Sequence, residues 1–177
     1  YDATDGDLKF CRWNGEDWVT SRVDETGDVG RFSSLDFDSS GNPAISYYDA
    51  TNGDLKCGRW NGSVWDIEIV DSAGDVGQYS SLRFDCLDDW AVSYYDATNG
   101  DLKYAYRSGA GWQVQVVDSE GRVGLYTSLE ADASRWPAIS YHDASEGKLK
   151  LARWDGGEWN LVTMKDKRTT GHWTSLA

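Results

Sequence analysis

From Tyr79 to Val117 the chain alternates short apolar runs with clusters of turn-forming residues. "YSSLRFD", "WAVSYYD", "LKYAYR" and "WQVQVV" are six or seven residues each, rich in β-branched and aromatic side chains. "CLDD", "ATNGD", "SGAG" and "DSEGRVG" bound them. Runs of this length, with Gly, Asn and Asp between them, predict strands joined by tight turns. No window carries a helical period of useful length. The only prolines, Pro43 and Pro137, fall where the second strand of a unit starts, a place that tolerates a missing N–H.

The pattern recurs at a shift of 47 residues without insertion. "YYDATNGDLK" stands at 47–56 and again at 94–103. Asp2, Asp49, Asp96 and Asp143 align, as do Trp18, Trp65, Trp112 and Trp159, and Gly30, Gly77, Gly124 and Gly171. Ser34, Ser81, Ser128 and Ser175 are each followed by Leu. Four short antiparallel strands per repeat of roughly 40–50 residues predict an all-β β-propeller, since a lone four-stranded sheet cannot cover both its faces whereas radially stacked sheets cover one another. With strands lettered A to D outwards, residues 1–24 are expected to give strands C and D of a first blade, 31–71, 78–118 and 125–164 complete blades, and 171–177 the inner strand of a further one. The chain reads as a partial or open ring, a segment completed by further blades of the same propeller or by a partner subunit. The mostly large Phe10, Cys57, Tyr104 and Leu151 precede the small Cys11, Gly58, Ala105 and Ala152, so a large side chain on one blade can sit over a small one on the next.

Asp38 to Lys56, "DSSGNPAISYYDATNGDLK", resembles the strand–turn–strand of NHL-type propeller repeats, which often carry Asp-x-x-Gly-Asn before the second strand. The "DATNGD" hairpin is similar to the Asp-box turn of sialidase-like propellers, with Thr51 and Leu55 where Asp and Thr would stand. These resemblances imply a ring architecture commonly used for binding, and carry over no catalytic residue.

The net charge of −13 argues against nucleic acid as a partner. No apolar run approaches the ~18 residues of a membrane span. Cys11, Cys57 and Cys86 occupy non-equivalent repeat positions and form no Cys-x-x-Cys, which speaks against a disulfide framework.

In a propeller the B–C and D–A loops share one rim. That rim gathers the candidate ligand-binding residues: Tyr48, Asp49, Asp54, Asp75, Tyr95, Asp96 and Asp101, with the unit-specific Arg122, His142 and His172. A ring of carboxylates can hold calcium, yet Asp before a Gly-containing turn also closes the turn itself by bonding its backbone. Repetition in every unit favours the turn role, so no cofactor is expected and calcium is the alternative. The Arg-Trp pairs 12–13, 59–60 and 153–154 suit either a sugar at a blade junction or packing of Arg over Trp. His142 and Asp143 are strand neighbours that point apart, so no catalytic triad follows. These features predict a non-enzymatic, multivalent binding module for a glycan or protein, extracellular or at a cell surface. A glycosidase or lyase acting on the acidic rim, and a structural module of a larger assembly, are the alternatives.

Overall fold

The computed structural model describes residues 1–164 and 174–176. Its strands are β1 (Leu8–Trp13), β2 (Trp18–Asp24), β3 (Val29–Phe37), β4 (Pro43–Asp49), β5 (Asp54–Trp60), β6 (Trp65–Asp71), β7 (Val76–Phe84), β8 (Trp90–Asp96), β9 (Asp101–Ser108), β10 (Gly111–Asp118), β11 (Val123–Ala131), β12 (Pro137–Asp143), β13 (Lys148–Trp154) and β14 (Trp159–Thr163). Each pairs antiparallel with its sequence neighbour to give a two-stranded first sheet, β1–β2, and three four-stranded sheets, β3–β6, β7–β10 and β11–β14. The sheets stack as the blades of a β-propeller that is not closed into a ring. Among the described residues there is no helix long and apolar enough to cross a membrane. The start of the expected strand 171–177, with Gly171 and His172, lies outside the described residues.

The recurring Ser-Leu dipeptide has a concrete task. The backbone N–H groups of Leu82, Leu129 and Leu176 donate to the hydroxyls of Ser34, Ser81 and Ser128 on the preceding blade, each at 3.0 Å. Two residues before these leucines, Ser80, Thr127 and Thr174 donate to the carbonyls of Phe32, Tyr79 and Tyr126 at 2.9, 2.8 and 2.6 Å. These bonds join the inner strands of successive blades, where strand-to-strand pairing gives no bond.

The inner strands carry a feature that the pattern does not announce. Pairing slips between Arg31 and Ser34, Gln78 and Ser81, and Leu125 and Ser128. In these bulges Phe32, Tyr79 and Tyr126 take φ of 53°, 55° and 55°, a region that bulky residues rarely enter. Their rings form a column with centroids 4.6 and 4.5 Å apart.

Between blades, apolar contacts enclose a polar cluster. Tyr94 donates to Asp71 at 2.7 Å, and the Lys103 ammonium sits 3.1 Å from Asp71 and 2.9 Å from Asp96. Tyr47, Lys56, Asp24 and Asp49 repeat the arrangement one junction earlier, and Tyr141, Lys150, Asp118 and Asp143 one junction later. The D–A connections are stapled down by Asp28, Asp75 and Arg122, whose N–H groups donate to Thr51, Thr98 and Ser145 at 2.7 Å. Gly27 makes this approach possible: at φ +95°, a Cβ there would stand 2.5 Å from Thr51 Oγ1.

The repeated tryptophans open the D strands, where the pattern leads one to expect all four at least half buried. Trp65, Trp112 and Trp159 are largely covered, but Trp18 is 68% exposed. The reason is positional. Trp65 meets Phe10 of the preceding sheet edge-on at 5.4 Å and Trp159 meets Tyr104 at 5.3 Å; Trp18 lies on the first of the described sheets, and its ring contact among the described residues is with Trp13 across its own hairpin, at 5.9 Å. Opposite Trp65, Gly58 leaves room: a Cβ there would stand 3.0–3.1 Å from Ile67 and Val23. All three cysteines are free, with Cys57 buried and Cys11 and Cys86 exposed.

Candidate functional site

At the rim of the B–C hairpins, the aspartates that end the B strands bond within their own loops. Asp49 accepts from the N–H groups of Thr51 and Asn52 and from the Asn52 amide. Asp96 does the same with Asn99, Asp2 with Thr4, and Asp143 with Ser145 and Glu146. Asp49 and Asp96 are fully buried, and each faces a lysine ammonium. Burial alone would raise both carboxyls, but bonds from Lys56 and Asn52, and from Asn99 and Lys103, hold them below the usual carboxylate range. Asp54 and Asp101 go the other way, raised by burial and by the neighbouring Asp49 or Asp96 charge. Among the described residues no group of three or more His, Cys, Asp or Glu is arranged to hold a metal ion.

The other rim candidates form pairs between blades. Tyr48 donates to Asp75 at 2.7 Å, and burial and that carboxylate push its phenol up to about 12. At the next junction Arg122 stands in place of Asp75, so Tyr95 accepts from the Arg122 Nε at 3.2 Å instead of donating. Arg122, Tyr95, Asn99 and Ser145 line a shallow open depression there. His142 is buried, its ring 6.3 Å from that of Tyr126. The rim thus brings Tyr95 and Arg122 together but engages Asp49 and Asp96 internally; His172 lies outside the described residues.

A deeper site lies at the opposite ends of the strands. Between the third and fourth sheets is a cleft of about 400 Å³, with Phe84, Trp90, Tyr104 and Tyr106 among its walls. A contiguous recess of about 240 Å³ shares Tyr104, Tyr106, Arg135 and Pro137 with it and adds Trp136, Trp154 and Trp159. Charged pairs edge the cleft: Arg83 with Glu130 at 2.8 Å, and Arg135 with Asp85 at 3.3 Å and Asp89 at 3.8 Å. Its size suits a small ligand, and aromatic walls with a few placed polar groups are the usual make-up of such sites.

The cleft is open because the residues that fill the preceding junction are replaced here. Between the second and third sheets, Phe84 and Trp90 stack at 5.7 Å, Trp90 meets Trp112 edge-on at 4.9 Å, and the Arg59 guanidinium lies over both Phe84 and Trp90. Asp38 holds that guanidinium at 2.9 Å and is itself lowered to about 2, the bonds from Arg59 and Asn42 overcoming desolvation. One repeat later Ala131, Pro137 and Tyr106 replace Phe84, Trp90 and Arg59, and the space stays open. Between the first and second sheets Pro43 again stands at the Trp90 position, and a smaller pocket of about 110 Å³ opens against Phe10, Arg12, Trp60 and Trp65. The rim candidates do not reach these clefts. The signal that points to them is the change of side-chain size at one repeat position, Pro43, Trp90 and Pro137.

No family model matches the chain, and no curated protein matches it. Among solved structures it is similar to a mutant of the Aleuria aurantia lectin in complex with Fucα1-6GlcNAc, at 14% identity and a TM-score of 0.63 over 86% of this chain and 51% of that one. It is also similar to a bifunctional GH43-CE protein of Bacteroides eggerthii, at 15% identity and a TM-score of 0.52 over 96% of this chain and 24% of that one. The chain therefore spans about half of the lectin chain and about a quarter of the other. Likeness at this identity establishes the propeller fold.

Proposed function

We propose that the protein is a non-catalytic, multivalent glycan-binding module, acting outside the cell or at its surface, with saccharides seated in the clefts between blades. One observation carries this reading: the cleft between the third and fourth sheets, aromatic on its walls and edged by Arg83–Glu130 and Arg135–Asp85. A sugar ring has apolar faces that cover aromatic rings and hydroxyls that both donate and accept. Tyr104, Tyr106 and Trp154 offer such faces, and the charged pairs offer donors and acceptors to the hydroxyls. The fold likeness to a lectin solved in complex with Fucα1-6GlcNAc supports the reading. Recurrence of the junctions along the chain supplies the multivalency that turns weak single sites into avid binding.

The runner-up is a glycosidase, favoured by the likeness to the bifunctional GH43-CE protein. That chemistry needs one carboxyl kept protonated near a second carboxylate. Asp54 and Asp101, the carboxyls raised by burial, stand at the B–C rim, away from the cleft, while Asp85, Asp89 and Glu130 in the cleft are each paired with arginine. A glycan array followed by a turnover assay on every glycan retained tests the reading. Binding without product is expected, and Tyr106→Ala reduces it at least tenfold. Release of a free sugar identifies the glycosidase, and silence across the array leaves a protein partner or a scaffold role.

A further inference from the structure

The glycan reading leaves open which junctions bind. We propose that the repeat position shared by Pro43, Trp90 and Pro137 is the gate that decides. Proline leaves the first–second and third–fourth junctions open to a neutral saccharide, and Trp90 shuts the second–third. The inference rests on the glycan-binding reading and adds to it the number and place of the sites.

The two open pockets are one site written twice. Pro43, Trp60 and Trp65 line the first, and Pro137, Trp154 and Trp159, each 94 residues on, line the second. In both, the two tryptophans face each other across the C–D hairpin, 5.7 and 5.5 Å apart. The middle junction keeps the second tryptophan, as Trp112, and changes the other two elements. Trp90 takes the place of the proline and is 6% exposed, packed on Phe84, Trp112 and the Arg59 guanidinium. Arg107 takes the place of the hairpin's first tryptophan and is committed to Glu68 at 2.9 Å.

The indole N–H groups separate the junctions further. Trp112 donates to Glu68 at 2.8 Å, so its hydrogen-bonding capacity is used. Gln115 stands at the corresponding place for Trp159 and accepts at 3.2 Å. Ser21 stands there for Trp65, and the Trp65 indole N–H is buried without a partner. A buried donor with no acceptor is destabilising. The nitrogen has no accessible surface, so a saccharide hydroxyl would supply that acceptor only as the pocket adjusts around a ring stacked on Trp60 or Trp65. Arg12, Arg59 and Tyr106 complete the distinction: in the open pockets Arg12 or Tyr106 lines the wall, whereas Arg59 lies over Trp90.

The test follows indole N–H signals by NMR while methyl glycosides of fucose, galactose and N-acetylglucosamine are added to the whole chain. The Trp65 and Trp159 signals are expected to shift with saturation, and the Trp112 signal to stay still. Trp90→Pro should make Trp112 respond. Because that substitution removes core packing, Pro137→Trp provides the converse: Trp159 loses its response while Trp65 keeps its own. Saturable shifts of Trp112 in the natural chain, or a Trp159 response that survives Pro137→Trp, would overturn the gate and leave glycan binding intact. If no indole responds to any glycoside, glycan binding at the junctions falls, and the gate with it.

Discussion

The phenol of Tyr94 donates to Asp71 at 2.7 Å across a blade junction, and the two residues are 23 positions apart in the chain. Tyr47 with Asp24 and Tyr141 with Asp118 repeat this relation at the same separation. Each pair links the B strand of one blade to the D strand of the one before it. The bond is buried, so losing it leaves a carboxylate short of a partner in a place water does not reach. Tyr94→Phe is therefore expected to lower stability by about 1–3 kcal/mol, the range for stranding a buried polar group. Urea melts with an unchanged m value would show it. A midpoint equal to that of the natural chain would mean that Lys103 and the Ala73 N–H satisfy Asp71 without the phenol.

The same clusters set the acid limit of the fold. Burial opposes ionisation of Asp24, Asp71 and Asp118, but bonds from tyrosine, lysine and the backbone outweigh it and hold all three below the usual range. A carboxyl lowered in the folded state contributes stability that is present above its unfolded pKa, about 3.9, and is lost as pH falls through the folded value. Desolvation works against Lys56 and Lys103, but Asp49 with Asp24, and Asp96 with Asp71, raise them. Their contribution is complete below the unfolded lysine pKa, about 10.4, and fades as pH rises through the folded value. Thermal melts should hold a plateau between roughly pH 5 and 9 and fall on either side. In Tyr94→Phe the acid fall should be smaller, because Asp71 is then held less far below its unfolded value.

Lysine occupies the place between carboxylates that a calcium ion would need. Lys56 lies between Asp24 and Asp49, and Lys103 between Asp71 and Asp96. The melting temperature is expected to be the same in calcium and in EDTA, with no saturable heat in a calcium titration. A sharp fall in chelator would show a calcium-dependent fold. Lys103→Ala leaves two buried carboxylates uncompensated and should cost about 3–5 kcal/mol.

Trp65 and Trp18 occupy the same repeat position and should behave differently. Trp65 packs against Phe10 and Trp60, so Trp65→Ala is expected to cost about 3 kcal/mol, at the lower edge of large-aromatic truncations because the ring is not wholly enclosed. Trp18 is 68% exposed, and Trp18→Ala should cost less than about 1 kcal/mol. Equal losses in denaturant melts would show that Trp18 is covered in solution.

Ser21→Gln gives the Trp65 indole the acceptor that Trp159 finds in Gln115. A gain of about 1 kcal/mol is expected from satisfying the buried donor. The same change should weaken saccharide binding at the first–second junction, read from the Trp65 indole signal. A loss of stability would mean that Ser21 is small because the junction has no room for more.

The sequence by itself determined the period, the strand type, the turns and the stacking of like units. All of these depend on residues close in the chain, and a 47-residue repeat without insertion repeats its local instructions in register. It also foretold that Asp49 and Asp96 close their own hairpins, since both turns need donors satisfied a few residues away. It did not reveal that Phe32, Tyr79 and Tyr126 enter the left-handed region, because no propensity marks an aromatic residue for positive φ; the bulge and the bonds between inner strands impose it. Nor could one repeat unit tell that Trp18 is exposed and Trp65 covered, because cover comes from the neighbouring sheet. The clefts were hidden for the same reason. Whether a junction is open depends on the summed volume of side chains from two facing blades, Trp90 and Phe84 with Arg59 in one and Pro137 and Ala131 with Tyr106 in the next. Only the stacking of the sheets brings those volumes together.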